Sequence, residues 1–84
     1  MSGKQRKTLA AIFAEPIRAN IRWDDVEGLF RALGAALTQG SGSRVRVVLN
    51  GRRSTFHEPH PEKEIGRKTV ADVREFLEDA GWSA

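Results

Sequence analysis

Arg44, Arg46, Arg53 and His57 are the residues of this chain best suited to chemistry. Guanidinium groups take up phosphate oxygens through paired, charge-assisted hydrogen bonds. Imidazole gives up and accepts protons near neutral pH. Three arginines beside one histidine therefore suit holding a phosphodiester and moving protons on it. Their spacing brings them together if the chain folds back at Asn50-Gly51. Asn-Gly between two strand-like runs favours a two-residue type I′ turn, because both central residues need positive φ. Such a turn sets the register. Leu49 then faces Arg52, Val47 faces Ser54, and Val45 faces Phe56. On the other face Val48 meets Arg53, Arg46 meets Thr55, and Arg44 meets His57. Directly opposed side chains lie roughly 5 Å apart at Cβ. One face is mostly apolar, and the other carries Arg44, Arg46, Arg53 and His57.

The elements around this hairpin follow from hydrophobic periodicity. A helix is expected from about Lys4 to Ala14, with Leu9, Ile12 and Phe13 on one face and Pro16 at its end. Pro16 to Ile21 reads as a connector. A second helix runs from Trp23 or Asp24 to Leu33, with Trp23, Val26, Leu29, Phe30 and Leu33 on one stripe. Asp24, Asp25 and Glu27 lie in its first turn, where carboxylates complement the helix dipole. Gly34 is placed to end it. Ala35 to Gln39 reads as a short strand, and Gly40 to Ser43 as a flexible turn. After the hairpin comes a proline-punctuated loop, Pro59 to Gly66. Thr69 and Asp72 form a Thr-x-x-Asp capping pattern for a last helix. Val70, Val73, Phe76, Leu77 and Ala80 give that helix its apolar side, and Gly81 ends it. Trp23 belongs to the core, and Trp82 is placed to pack back on the last helix.

The order is α-α-β-β-β-α. Its simplest solution is an α+β domain, a three-stranded antiparallel meander with helices on one face. The 84 residues suffice for one small domain, with 1–20 as N-terminal helix and connector and 21–84 as the core. Apolar residues at 39% provide a modest core. The absence of cysteine removes disulfides and thiolate-held zinc, and is compatible with a reducing cytoplasm. Neither a membrane-spanning apolar run nor a signal-peptide core is visible, so a cytoplasmic protein without a membrane partner is expected.

The net charge of +3 is unevenly spread. Residues 1–57 hold ten Lys and Arg against four Asp and Glu, whereas residues 58–84 hold four against seven. A basic first part that includes the hairpin points to a polyanionic partner. Ser43 has no histidine–carboxylate pair in sequence to activate it, and reads as a turn residue. No Gly-Lys-Ser/Thr follows Gly40-Ser41-Gly42, so this is not a phosphate-binding P-loop. No metal or cofactor is expected.

From Trp23 onward the chain resembles the HicA toxin family of bacterial type II toxin–antitoxin modules. The matching residues are Trp23-x-x-Val26-x-x-Leu29-Phe30-x-x-Leu33-Gly34, Gly42-Ser43 before the central strand, His60-x-x-Lys63-Glu64 in the loop, and the helix Thr69 to Gly81. The resemblance covers about 60 residues; it rests on the order and spacing of these parts together. It implies a double-stranded-RNA-binding-domain-like fold, cleavage of mRNA, and silencing by a HicB antitoxin. The helix from Lys4 to Ala14 is an N-terminal addition to the family pattern.

One position departs from that pattern. The family's catalytic histidine follows Gly-Ser, and Arg44 stands there instead. Arginine is effectively always protonated and is a poor general base. The hairpin register suggests a rearranged site, with His57 and Arg44 as the catalytic pair. Ser43, Arg46, Arg53, His60, Lys63 and Lys68 are the expected RNA contacts. The alternative is a non-catalytic RNA-binding domain of the same fold, in which Arg44 has removed activity. A protein-only interaction module leaves the basic face unexplained.

Overall fold

The computed structural model describes residues 1–59 and 63–84. Its elements are α1 (Gly3–Ile12), β1 (Ile21–Arg22), α2 (Trp23–Ala32), β2 (Ala36–Gln39), β3 (Arg44–Leu49), β4 (Arg52–His57), β5 (Glu64–Ile65) and α3 (Arg67–Asp79). The antiparallel sheet runs in the order β2-β3-β4, the expected meander. Every β3–β4 pairing follows the register set by the Asn50-Gly51 turn. Both turn residues have positive φ, 50° and 78°, as the turn type requires.

Strand alternation decides which side of the sheet is covered. Val45, Val47 and Leu49 of β3 are buried, and so is Phe56 of β4. Against them pack Trp23, Val26, Leu29 and Phe30 of α2, and Val70, Val73, Phe76 and Leu77 of α3. Aromatic rings bind these layers. Phe30 stacks on Phe56 at 5.7 Å, and Phe76 meets both edge-on at 5.8 Å. Each such pair adds about 0.5–1.5 kcal/mol beyond the area it buries.

Helix α1 begins one residue earlier than the apolar pattern suggests. The Ser2 hydroxyl accepts from the Gln5 backbone N–H, while the Gln5 side chain accepts from the Ser2 N–H at 2.7 Å. This reciprocal capping box satisfies two otherwise unpaired donors. The helix ends at Ile12, two residues short of the expected Ala14, with Phe13 as its C-cap.

Two corrections concern α3 and the connector. Thr69 does not cap the last helix: the helix starts at Arg67 with Gly66 as the N-cap, and no side chain caps it. Asp72 instead pairs with Lys68, one turn earlier, at 3.4 Å. The connector, in turn, ends in a strand. Ile21 and Arg22 pair antiparallel with Ile65 and Glu64 in a two-stranded ribbon apart from the main sheet. Two-residue strands carry too little periodicity to be read from sequence.

Long-range polar contacts tie the elements together. The Asn50 side-chain amide donates to the Ala80 carbonyl at 2.8 Å, linking the hairpin tip to the end of α3. There the Trp82 N–H reaches the Leu77 carbonyl and the Gly81 N–H reaches Glu78, a Schellman closure. Trp82 packs back half-buried on the core. Arg74 of α3 holds the end of α1. Its guanidinium donates to the carbonyls of Ile12 and Ala14, both at 2.8 Å, pairs with the Glu15 carboxylate, and lies 5.8 Å from the Phe13 ring.

Candidate functional site

The open face of the sheet is built by β3 and β4. With Val45, Val47 and Leu49 turned to the helices, Arg44, Arg46 and Val48 turn the other way and are exposed. Their cross-strand partners are His57, Thr55 and Arg53, all exposed. Arg44, Arg46, Arg53 and His57 thus share one solvent-facing surface. Thr38, Arg46, Val48, Arg53 and Thr55 line a shallow depression of about 360 Å³ on it.

Arg44 and His57 form the last pair of the ladder, at the end away from the turn. The backbone there is well tied. The Glu58 N–H donates to the Ser43 carbonyl at 2.7 Å, carrying the pairing one residue further. The Arg44 carbonyl accepts from the Gly40 N–H at 2.8 Å and from the Gln39 side-chain amide at 3.2 Å. Gly40 passes so close that a Cβ there would sit 3.3 Å from the Arg44 Cβ. The turn before β3 therefore folds over Arg44 and fixes its Cα, leaving the guanidinium to solvent.

A carboxylate pair lies on the helix side of the same end. Glu58 follows Phe56 on that side, and Glu27 projects from α2. Partial burial raises the Glu27 carboxyl above its usual 4.5, and the nearby Glu58 and Asp24 charges raise it further, against a lowering by Arg31.

The other expected RNA contacts fall elsewhere. Ser43 is half-buried and its backbone carbonyl is used in the ladder. Lys63 adjoins the β1–β5 ribbon, and its carbonyl accepts from the Trp23 N–H at 2.9 Å. Lys68 lies in the first turn of α3, paired with Asp72. His60 lies outside the described residues. Among the described residues no group of three or more His, Cys, Asp or Glu side chains gathers as metal ligands.

Sequence reasoning missed the Glu27–Glu58 proximity and a second cluster of basic side chains around α1. The signal for the second was present: residues 1–22 hold five Lys and Arg and a single carboxylate, Glu15.

These features define an α+β domain whose three-stranded antiparallel sheet is backed by helices and carries arginine and histidine on its bare face. The arrangement is compatible with the double-stranded-RNA-binding-domain-like fold of HicA toxins. A model of the HicA toxin family of bacterial toxin–antitoxin systems matches residues 23–82, and the chain belongs to that family. The match begins at Trp23 and leaves α1 and the connector outside it. No curated protein and no solved structure gives a match. Membership makes the chain the toxin of a toxin–antitoxin pair, with an antitoxin as its implied partner. Among the described residues no helix is long and apolar enough to cross a membrane.

Proposed function

We propose that this toxin is an RNA-binding endoribonuclease that cleaves mRNA in the cytoplasm and is silenced by a HicB-like antitoxin. One observation carries the reading: Arg44, at the family's histidine position, stands directly across from His57 on an exposed face. The two side chains can reach one phosphodiester.

The chemistry is transfer of the phosphoryl group to the ribose 2′-oxygen. The 2′-oxygen bonds to phosphorus as the bond to the 5′-oxygen breaks, leaving a cyclic phosphate and a free 5′-hydroxyl. His57 takes the proton from the 2′-OH or delivers one to the departing 5′-oxygen. Arg44 and Arg46 stabilise the charge that builds on the phosphoryl oxygens. The internal nucleophile makes RNA, not DNA, the substrate. Arg53 and Ser43 contact the strand beside the reacting phosphate, and His60, Lys63 and Lys68 are proposed as further RNA contacts away from it.

The antitoxin is proposed to cover the open face, with acidic groups pairing Arg44, Arg46 and Arg53. Co-expression with the product of the neighbouring gene, followed by pull-down and protection mapping, tests this. A complex that leaves Arg44, Arg46 and His57 fully accessible refutes direct occlusion.

A second reading rests on the same substitution. With Arg44 replacing the family's base, the domain binds RNA without cutting it. Incubation of labelled mRNA with the purified protein separates the two. Cleavage abolished by His57→Ala supports the enzyme; binding without cleavage supports the second reading.

A further inference from the structure

A basic groove lies away from the open sheet face. It runs between α1 and the connector that leads into β1, with a volume of about 500 Å³. Lys4 and Lys7, one turn apart on α1, line it together with Arg18 and Arg22. Asp25 and Glu64 are the carboxylates that also line it. Asp25 pairs with Lys4 at 3.2 Å, and Arg22 pairs with Asp24 at 3.8 Å. Glu64 stands opposite Arg22 in the backbone register of the β1–β5 ribbon, and its carboxylate has no ion pair among the described residues. Lys7 and Arg18 have no ion-pair partner among the described residues. The groove therefore presents Lys7 from the helix and Arg18 from the connector as cations without an ion pair, against one remaining carboxylate, Glu64.

The walls are held in place. Leu9 and Ile12 seat α1 in the core, and Arg74 fastens its C-terminal end through the Ile12 and Ala14 carbonyls. The connector is anchored where Ile21 pairs with Ile65. Neither wall must be ordered when a ligand arrives, so little of the binding energy is lost to ordering. The groove's basic residues, Lys4, Lys7, Arg18 and Arg22, lie outside the part of the chain that matches the toxin family.

We infer that the groove between α1 and the connector is a second binding site for the phosphodiester backbone of RNA, with Lys7 and Arg18 as its phosphate contacts. This rests on the RNA reading given above and adds a second place where the strand is held. The sheet face acts on the scissile phosphate. The groove, in the helix layer, holds a distant part of the same strand. It therefore favours long RNA over short RNA without touching the reacting bond.

The experiment measures binding of fluorescein-labelled single-stranded RNAs of about 6 and about 24 nucleotides, lengths spanning the usual single-strand site sizes. Wild type, Lys7→Glu/Arg18→Glu and Lys7→Gln/Arg18→Gln are compared at several salt concentrations. The glutamine pair removes charge without adding repulsion and serves if the glutamate pair fails to fold. Both pairs should weaken the long RNA about ten-fold or more at low salt, and lower the magnitude of its log–log salt slope by about 1.4, the loss of two phosphate contacts. Binding and cleavage of the short RNA should not change. A folded variant that binds the long RNA with wild-type affinity and slope overturns the second site while leaving the sheet-face reading intact. So does a variant that loses only the antitoxin complex, which would make the groove a protein contact. A wild type that binds neither RNA at low salt overturns the RNA reading itself, and the groove with it.

Discussion

Arg44 and His57 face each other across β3 and β4 as the ladder pair most distant from the Asn50-Gly51 turn. A histidine moved from one strand to its cross-strand partner stays within a few ångströms of its old place, about the separation of directly opposed Cβ atoms. That relationship motivates the proposal that His57 serves in place of the catalytic histidine that the resemblance implies at position 44.

Removing the imidazole should stop the chemistry more than the binding. His57→Ala is expected to slow cleavage of labelled mRNA by about 10²- to 10⁴-fold with nearly unchanged RNA affinity. Arg44→Ala should weaken both. Arg44→His in the His57→Ala background should recover activity, because the two positions share one site. Wild-type cleavage by His57→Ala would end the proposal for His57.

Affinity for RNA should be strongly salt-dependent. Each phosphate contact on a single strand contributes roughly −0.7 to the slope of log K against log salt. Arg46→Glu/Arg53→Glu should lower affinity for short RNA, which only the sheet face serves. Anisotropy titrations at several ionic strengths give the answer, and a flat response in wild type would contradict phosphate binding.

Arg74 should matter for stability although it belongs to α3 and not to the open sheet face. Its guanidinium serves two backbone carbonyls and one carboxylate around the end of α1. Hydrogen bonds to a charged group contribute about 1.5–3 kcal/mol. Arg74→Ala is expected to destabilise the domain by about that amount in urea unfolding. An unchanged midpoint would show that α1 docks through Leu9 and Ile12 alone.

Glu27 should oppose folding at neutral pH. Burial, then Glu58 and Asp24, raise its carboxyl above the usual 4.5 in the folded state. The folded protein thus holds this proton more tightly than the unfolded chain does. The penalty is fully present above the raised value and is relieved as pH falls through it toward 4.5. Glu27→Gln should raise the melting temperature at pH 7, and the gap should close toward pH 4. A gap independent of pH would point to packing instead of ionisation.

The hairpin tip offers a test of the turn and of its link to α3. Asn50 adopts φ 50° and its amide closes on the Ala80 carbonyl. Asn50→Gly keeps the turn and loses only that bond, whereas Asn50→Ala loses both. The first should cost about 1 kcal/mol and the second distinctly more, since a non-glycine residue without a polar side chain is strained at positive φ. Equal losses would mean the side-chain bond dominates.

The β3–β4 register was legible in the residues themselves because its causes are local. Asn50-Gly51 accepts positive φ, and period-two alternation sends Val45, Val47 and Leu49 to one side. The same holds for the apolar stripes of α2 and α3, whose residues lie one turn apart. The candidate pair Arg44 and His57 follows from that register alone. Tertiary structure decided what joins distant segments. Arg74 reaches Ile12 across 62 residues, Asn50 reaches Ala80 across 30, and Ile21 finds Ile65 in a ribbon of two-residue strands. Which carbonyl a guanidinium meets, or which carboxylate faces Glu27, depends on how packed helices and sheet are juxtaposed. Hydrophobic periodicity states which face of each element is buried, but not which neighbour buries it. The groove between α1 and the connector exists only because that packing brings two separate basic stretches side by side.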